Sequence, residues 1–286
     1  MKDKIKKLAP AFSAIILVLN VYVWSAYAKP IDHNLHLSMF DVGQGDSFYF
    51  RTPEGQDVLI DGSPGRSVLS ELGKTMPFYD CHIDIVIATH PDLDHIGGLT
   101  SVLEKYDVGR FMMTGVNGKT EDYEELKDLL EEKDILVTIA QKGETIKFSD
   151  ELKMEILAPE NMNGKSIENI NDSSIVGLLR FKDFEILLTG DAELAEWEDI
   201  LNTFPKDRKI EILKISHHGS KNGTTEKILA GIKPETALIS VGKSNRYGHP
   251  HKEVLSALEK FGVKVLRTDE KGTIEIVSDG DHYQIK

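Results

Sequence analysis

Four side chains able to bind a metal fall within six residues of one another: His90, Asp92, Asp94 and His95, in the run His90-Pro91-Asp92-Leu93-Asp94-His95. The run follows the apolar stretch Ile83–Ala88, which reads as a largely buried strand, and precedes a helical pattern from Asp92 to Tyr106. Side chains on a loop at a strand's end can converge on one point, as those of a regular strand cannot. Imidazole and carboxylate together suit zinc, manganese or iron. A helix cap would use one such residue, with Asp92 the natural candidate, but needs neither two histidines nor two aspartates. Gly97 and Gly98, which follow, leave room for backbone to pack closely behind the loop.

The flanking elements form two similar halves. Leu35–Phe40, Ser47–Arg51 and Val58–Asp61 read as strands separated by turns, and Ser67–Thr75 as a short helix. In the second half, Glu121–Lys133, Ala192–Leu201, Thr225–Ile232 and His251–Phe261 read as helices. Lys153–Leu157, Ile175–Phe181, Phe184–Leu188, Ile210–Ile215, Ala237–Val241, Val263–Leu266 and Thr273–Val277 read as strands. Strands mixed with helices, and paired strands in both halves, predict sheets covered by helices on their outer faces: an α/β sandwich.

Composition bounds the function. The 286 residues are 40% hydrophobic and 28% charged, ordinary for a folded protein with a buried core. The net charge of -13 argues against a nucleic-acid scaffold gripping phosphates through a basic face. It argues less against a nuclease, because metal ions can supply positive charge locally. Cys81 is the single cysteine, which excludes an intrachain disulfide and a cysteine-rich zinc site.

The N-terminus has the layout of an export signal. Lys2, Lys4, Lys6 and Lys7 precede an uncharged, mostly apolar stretch from Ala9 to Ala28, which ends in Ala26-Tyr27-Ala28. Residues 1–28 are therefore expected to be a signal peptide, with an uncleaved membrane anchor as the alternative, and residues 29–286 a hydrolase domain. Pro10 and Asn20 weaken a clean membrane span. The expected location is secreted or on the extracellular face of the membrane, with membrane contact only through residues 1–28 if they are retained. No apolar run of bilayer length follows residue 28, so no channel is expected in this sequence.

Five further motifs follow the same order as a known family. They are Asp41-Val42-Gly43-Gln44-Gly45-Asp46-Ser47, Leu59-Ile60-Asp61-Gly62, Asn171-Asp172-Ser173-Ser174, Leu188-Thr189-Gly190-Asp191 and Ser216-His217-His218-Gly219-Ser220, and a sixth, Tyr247-Gly248-His249-Pro250, closes the series. With the His90–His95 run, the chain resembles the metallo-β-lactamase superfamily over roughly residues 34 to 278. That superfamily's signature is His-x-His-x-Asp-His; here Asp92 replaces the second histidine. The variant is similar to the ComEC family of DNA-uptake competence proteins and its stand-alone exported relatives.

The resemblance implies a metallo-β-lactamase-like αββα sandwich holding two divalent metal ions, zinc or manganese. His90 and Asp92 would hold the first, Asp94 and His95 the second, with Asp191 bridging and His218 completing the second site. His217 would face the substrate. The superfamily supplies a further first-site histidine, yet this chain has none between His95 and His217. Asn171 to Ser174 sits where that ligand should come from. An oxygen ligand there would make the first site oxygen-rich, shift it towards manganese or magnesium, and weaken its hold.

Asp41, Asp46 and Asp61 are candidates for orienting the metal ligands, and equally for forming turns. Asn171, Ser173 and Tyr247 are candidates for substrate or supporting contacts. Asp94, His217 and His249 are the candidate catalytic residues, the histidines as proton donors to the leaving oxygen. The implied reaction is hydrolysis by a metal-activated hydroxide, with DNA or another phosphodiester as substrate. A small ester, choline phosphate or lactam is the alternative substrate, and a non-catalytic binding module the alternative class. No protein partner can be inferred.

Overall fold

The computed structural model describes residues 12–21, 32–163, 167–206 and 208–286. The chain divides into Met1–His33 and Asn34–Lys286. In the first unit, residues 12–21 form a helix (α1) that exposes Phe12, Ile15, Ile16, Leu17, Val18, Leu19 and Val21. The rest of the leader predicted over 1–28 lies outside the described residues. Among the described residues, no helix is long and apolar enough to cross a membrane.

The second unit is built on two sheets. One contains β1 (Leu35–Met39), β2 (Phe48–Arg51), β3 (Asp57–Ile60), β4 (His82–Ala88), β5 (Asp107–Met113), β6 (Leu136–Ile139), β14 (Ile274–Ser278) and β15 (Tyr283–Ile285), in the order β15-β14-β1-β2-β3-β4-β5-β6. The other contains β7 (Thr145–Lys147), β8 (Leu152–Ala158), β9 (Val176–Phe181), β10 (Phe184–Leu188), β11 (Ile210–Lys214), β12 (Pro234–Ile239) and β13 (Lys264–Arg267), in the order β13-β12-β11-β10-β9-β8-β7. Each sheet is antiparallel on one side and parallel on the other. The parallel runs are β3 to β6 and β10 to β13.

The helices are α2 (Ser67–Thr75), α3 (Leu93–Ile96), α4 (Leu99–Lys105), α5 (Glu121–Glu132), α6 (Leu194–Thr203), α7 (Glu226–Ile232), α8 (Lys252–Lys260) and α9 (Thr268–Lys271). Alternation along the strands sets the layers. Leu35, Leu37 and Met39 of β1 face Ile186 and Leu188 of β10 across the inter-sheet core. Leu59, between inward-facing Val58 and Ile60, packs outward beneath α2, α4 and α5 with Leu72, Leu99 and Leu126. Leu187 does the same beneath α6, α7 and α8, with Trp197, Leu229 and Leu258. The result is the expected αββα sandwich. Its parallel strands end together, and loops at their carboxyl ends form the crevice where α/β proteins place their chemistry.

The single helix expected from Asp92 to Tyr106 is two, broken at Gly97 and Gly98. The cause is close packing: Gly98 N–H donates to Ser63 O at 2.6 Å, and a side chain at Gly98 would begin 2.2 Å from Gly62 O. The Gly98 amide and the Asp94 carbonyl, which would pair in a continuous helix, are taken instead by Ser63 O and the Asp46 amide. Strands β5, β6, β7 and β15 and helix α9 have no counterpart in the sequence expectations. They are short or carry polar residues such as Asp107 and Arg110, so their pattern is weak without the sheet that pairs them.

Candidate metal centre

Loops after β3, β4, β10 and β11 bring Asp61, His90 to His95, Asp191 and His217-His218 together. Asp94, His95, Asp191 and His218 form one cluster whose ligand atoms all lie within 4.8 Å of one another. His218 Nε2 is 3.3 Å from Asp94 Oδ2 and 3.5 Å from Asp191 Oδ2. His95 Nε2 is 3.3 Å from Asp191 Oδ1, yet both atoms are buried without a hydrogen-bond partner. A buried imidazole nitrogen and carboxylate oxygen side by side, among four such donors, are the arrangement expected of groups shaped to share a cation. Three of the four residues are buried and Asp94 is half-buried, open to solvent.

The imidazoles are fixed from behind. His95 Nδ1 lies 2.7 Å from Asp61 Oδ2, and Asp61 also accepts from the Thr89 amide at 2.8 Å and the Thr89 hydroxyl at 2.7 Å. His218 Nδ1 donates to the Ser240 carbonyl at 3.0 Å, and Asp46 Oδ1 stands 3.3 Å from the same nitrogen. Each ring therefore turns its Nε2 into the cluster, the orientation a metal-binding histidine needs. Asp46 and Asp61 thus lie against the Nδ1 atoms of the two cluster histidines. Asp41 does not: its carboxylate accepts from the Gly43 amide at 3.4 Å, forming a turn.

Backbone strain marks the same place. Asp61, His217 and His218 adopt left-handed φ angles of 62°, 49° and 53°. Such conformations cost roughly 1–3 kcal/mol each away from glycine and persist where the surroundings over-determine them. Gly45 provides the matching close approach. A side chain there would begin 2.3 Å from Asp94 O, and the next residue, Asp46, donates its amide to that same carbonyl at 3.1 Å.

Lys214 completes the centre, and the sequence reading missed it. It is buried at the end of β11, its Nζ paired with Asp46 Oδ2, 3.6 Å from Asp191 Oδ1, and donating to Gly190 O at 2.6 Å. Burial works against the charge on Lys214, but Asp46 and Asp191 outweigh it and raise its pKa. Burial would also protonate Asp46; Lys214 and His218 instead hold that carboxyl at about 2. Asp191 is likewise kept well below the usual carboxylate range against the effect of burial, chiefly by His218 and His95. In the metal-free centre, burial opposes protonation of His218, but Asp191 and Asp46 overcome it and push its pKa up to about 10. His95 is raised in the same way by Asp191 and Asp61.

The first-site residues are less complete. His90 is buried, its Nε2 has no hydrogen-bond partner, and Asp92 Oδ2 stands 3.7 Å away. Asp92 occupies the N-cap position of α3 but its side chain makes no cap bond, so it is free for a ligand. Asp191 also makes no cap: α6 begins at Leu194, with Glu193 before it. Ile170–Ser173 forms a 3-10 turn, in which Asn171 Oδ1 and Asp172 Oδ1 are buried without a hydrogen-bond partner. Ser173 is a correction: its hydroxyl donates back to Ile170 O at 2.7 Å. Ser174 instead contacts the site, 3.4 Å from His90 Nδ1 and accepting from the Asp191 amide at 3.1 Å.

Asn171 reaches His217, with its amide nitrogen 3.4 Å from Nδ1. Glu193, also unread from the sequence, holds the same Nδ1 at 3.0 Å. His217 Nε2 is thereby aimed towards Asp191, 3.8 Å away, on the open side of the centre. His249 lies over this pair, its ring 5.5 Å from that of His217 and 6.4 Å from that of His218. Burial and the neighbouring histidines lower its pKa to about 4. Tyr247 stacks on His249 at 5.7 Å.

Residues 40–243 match the metallo-beta-lactamase superfamily. The chain is 34% identical to ComE operon protein 3 of Bacillus subtilis (strain 168) over 257 residues, which are 84% of this chain and 32% of that protein. It is 27% identical to Recombination protein 2 of Haemophilus influenzae, covering 99% of this chain and 34% of that one. With Competence protein ComA of Neisseria gonorrhoeae the identity is 24%, over 92% and 35%. The chain thus spans about a third of the length of these relatives.

Two solved structures share the fold. CmlA, a diiron beta-hydroxylase from Streptomyces venezuelae, superposes with a TM-score of 0.53 at 15% identity, over 84% of this chain and 53% of that one. Zinc-bound PqqB from Methylobacterium extorquens gives 0.52 at 12%, over 78% and 85%.

Proposed function

Because the chain belongs to the metallo-β-lactamase superfamily, in the branch of the competence proteins, we propose that it is an exported, metal-dependent phosphodiesterase that cleaves DNA. The observation that carries the metal-dependent reading is the convergence of Asp94, His95, Asp191 and His218, with His95 Nε2 and Asp191 Oδ1 buried, 3.3 Å apart and unbonded. The names of the competence and recombination relatives support DNA as the substrate. The lysine-rich, apolar leader supports export.

Asp94, His95, Asp191 and His218 would hold one divalent ion, and His90 and Asp92 would contribute to a second, more weakly held one. Imidazole with several carboxylates suits zinc or manganese. A divalent ion there supplies a Lewis acid that favours ionised water near neutral pH and offsets charge building on the phosphate.

The chain's own residues do the rest. Asp94, the half-buried carboxylate of the cluster, orients the water on the solvent side. His217, with Nδ1 pinned by Glu193, presents Nε2 to the leaving oxygen as proton donor. Burial and the neighbouring histidines lower the pKa of His249, which suits it to hydrogen-bond the phosphate rather than to act as the principal acid.

The test is hydrolysis by the purified protein, stripped with chelator and reloaded with manganese or zinc, of plasmid DNA, bis-p-nitrophenyl phosphate and nitrocefin. Cleavage of the two phosphodiesters, abolished by Asp94→Ala, is expected. Nitrocefin turnover without phosphodiester cleavage would transfer the assignment to a lactam or small-ester hydrolase. No turnover with any ion, and no bound metal, would leave a binding module.

A further inference from the structure

The segment from Gly242 to Lys252 carries no acidic residue, in a chain where 47 acidic residues outnumber 34 basic ones. It exposes Lys243, Arg246 and Lys252. The neighbouring Ser216–Thr224 segment is also free of acids, exposes Lys221, and is tied to the first through the Lys221 amide, which donates to His251 Nδ1 at 3.1 Å. These two segments also carry His217, His218 and His249. A basic rim thus borders the metal centre of an acidic protein.

Within that rim the rings form a ladder. The Arg246 guanidinium lies 5.1 Å from the centre of the Tyr247 ring and donates to its hydroxyl at 3.0 Å. Tyr247 stacks on His249 at 5.7 Å with 24° between the planes, and His249 in turn meets His217 and His218. The outer rungs have no burial to justify them, since Tyr247 is 49% exposed and Arg246 is exposed.

The loop is nevertheless held firmly. Asn245 donates to Gly242 O at 3.0 Å and His249 O at 2.7 Å, and accepts from the His249 amide at 2.9 Å. An aromatic side chain fixed in solvent beside cations loses little freedom on binding a flat partner.

We propose that Arg246 and Tyr247 form a stacking platform for an unpaired nucleobase at the mouth of the metal centre, with Lys221, Lys243 and Lys252 flanking the phosphates, so that the protein binds single-stranded DNA in preference to duplex. The proposal rests on the DNA-phosphodiesterase reading for its ligand class. Bases within a duplex are already stacked and cannot reach such a surface. An unpaired base can, in any sequence, because every base presents a π face.

The test uses the full chain in EDTA, where no cleavage interferes, and dye-labelled oligodeoxythymidine, an abasic strand of equal length, and a duplex. The wild-type protein is expected to bind oligodeoxythymidine about tenfold more tightly than the abasic strand, the scale of one base–aromatic stack. Tyr247→Ala should bring that ratio close to one, and Tyr247→Phe should restore it. Lys243→Ala should weaken both strands alike and reduce the salt slope by about one.

Equal binding of the two strands by the wild type, or a ratio that survives Tyr247→Ala, would overturn the platform. The outcome is separable from the catalytic reading. Base-dependent binding with no cleavage of any phosphodiester would remove the nuclease and keep the platform, whereas cleavage with equal binding would do the reverse.

Discussion

His218 Nε2 stands 3.3 Å from Asp94 Oδ2, although 124 residues separate them in the chain. That contact places His218, of two adjacent histidines, on the inner side of the cluster. His218 is buried and turned inwards by the Ser240 carbonyl, while its neighbour His217 is turned outwards by Glu193. The left-handed backbone at both residues lets consecutive side chains serve different faces.

The first prediction follows directly. His218→Ala should lower metal affinity by more than the roughly ten- to hundredfold typical of losing a supporting hydrogen bond. His217→Ala should keep its metal through dialysis and lose turnover instead. Metal content by mass spectrometry, with activity on the same samples, separates the two. Retention of metal by His218→Ala and its loss from His217→Ala would reverse the assignment.

Lys214 gives the second. Its ammonium joins Asp46, which backs His218, to Asp191 of the candidate metal cluster. Replacing it with methionine removes the buried countercharge that Asp46 and Asp191 share and leaves them only His218 and His95. Removing one partner of a buried pair costs about 3–5 kcal/mol, which urea unfolding in EDTA would register as a drop in midpoint. Asp46→Asn in the same chain should recover much of the loss. A Lys214→Met protein as stable as the wild type would show that the pairing contributes nothing.

How much of this was legible in the sequence depends on the distance over which each signal acts. His90 to His95 lie on one loop, so their convergence needs only a strand end and a turn. His218 and Asp191 were legible through motif order, because spacing alone does not bring residues so far apart together. Lys214 was not legible. In Ile210-Glu211-Ile212-Leu213-Lys214 a lysine at a strand's end reads as a solvent contact, and only the pairing of β11 with β10 turns it under Gly190. Glu193 likewise resembled any acidic residue in a helix's first turn. The placing of Ser174 rather than Ser173 against His90 was not legible, because a 3-10 turn has no periodic pattern to announce it.

The third prediction concerns pH. In the metal-free protein His218 is raised from 6.5 to about 10, so its contribution to stability is complete below 6.5 and is lost as pH rises towards 10. Asp46 is lowered from 3.8 to about 2, so its contribution is present above 3.8 and is lost as pH falls towards 2. For these two groups, the chelated protein is therefore most stable between about pH 4 and 6.5. Metal reverses the upper limit, because binding requires neutral imidazole and releases protons. Metal affinity should rise with pH across this range, with acidification of a weakly buffered solution on adding the ion. Thermal unfolding against pH, with and without metal, checks both. Uptake with no proton release would mean that the imidazoles are already neutral.

The last prediction lies behind His217. Glu196, on the first turn of α6, is buried with neither carboxylate oxygen hydrogen-bonded. Burial, reinforced by the charges of Asp172 and Glu193, raises its pKa well above 4.5. A raised carboxyl pKa means that the folded state holds a proton the unfolded chain releases. Its stability relative to the unfolded chain is then intact below about 4.5 and falls as pH rises towards the folded value. Glu196→Gln removes the ionisation while keeping the shape. It should leave the melting temperature nearly unchanged at pH 4 and raise it at pH 8, where the wild type carries the cost of holding that proton or of burying the charge. The Glu193–His217 pair next to it keeps both partners in the variant, so metal content should not follow the melting temperature. Equal shifts at pH 4 and pH 8 would mean that Glu196 acts through packing alone, and a lower melting temperature at pH 8 would show that its carboxylate has a cationic partner.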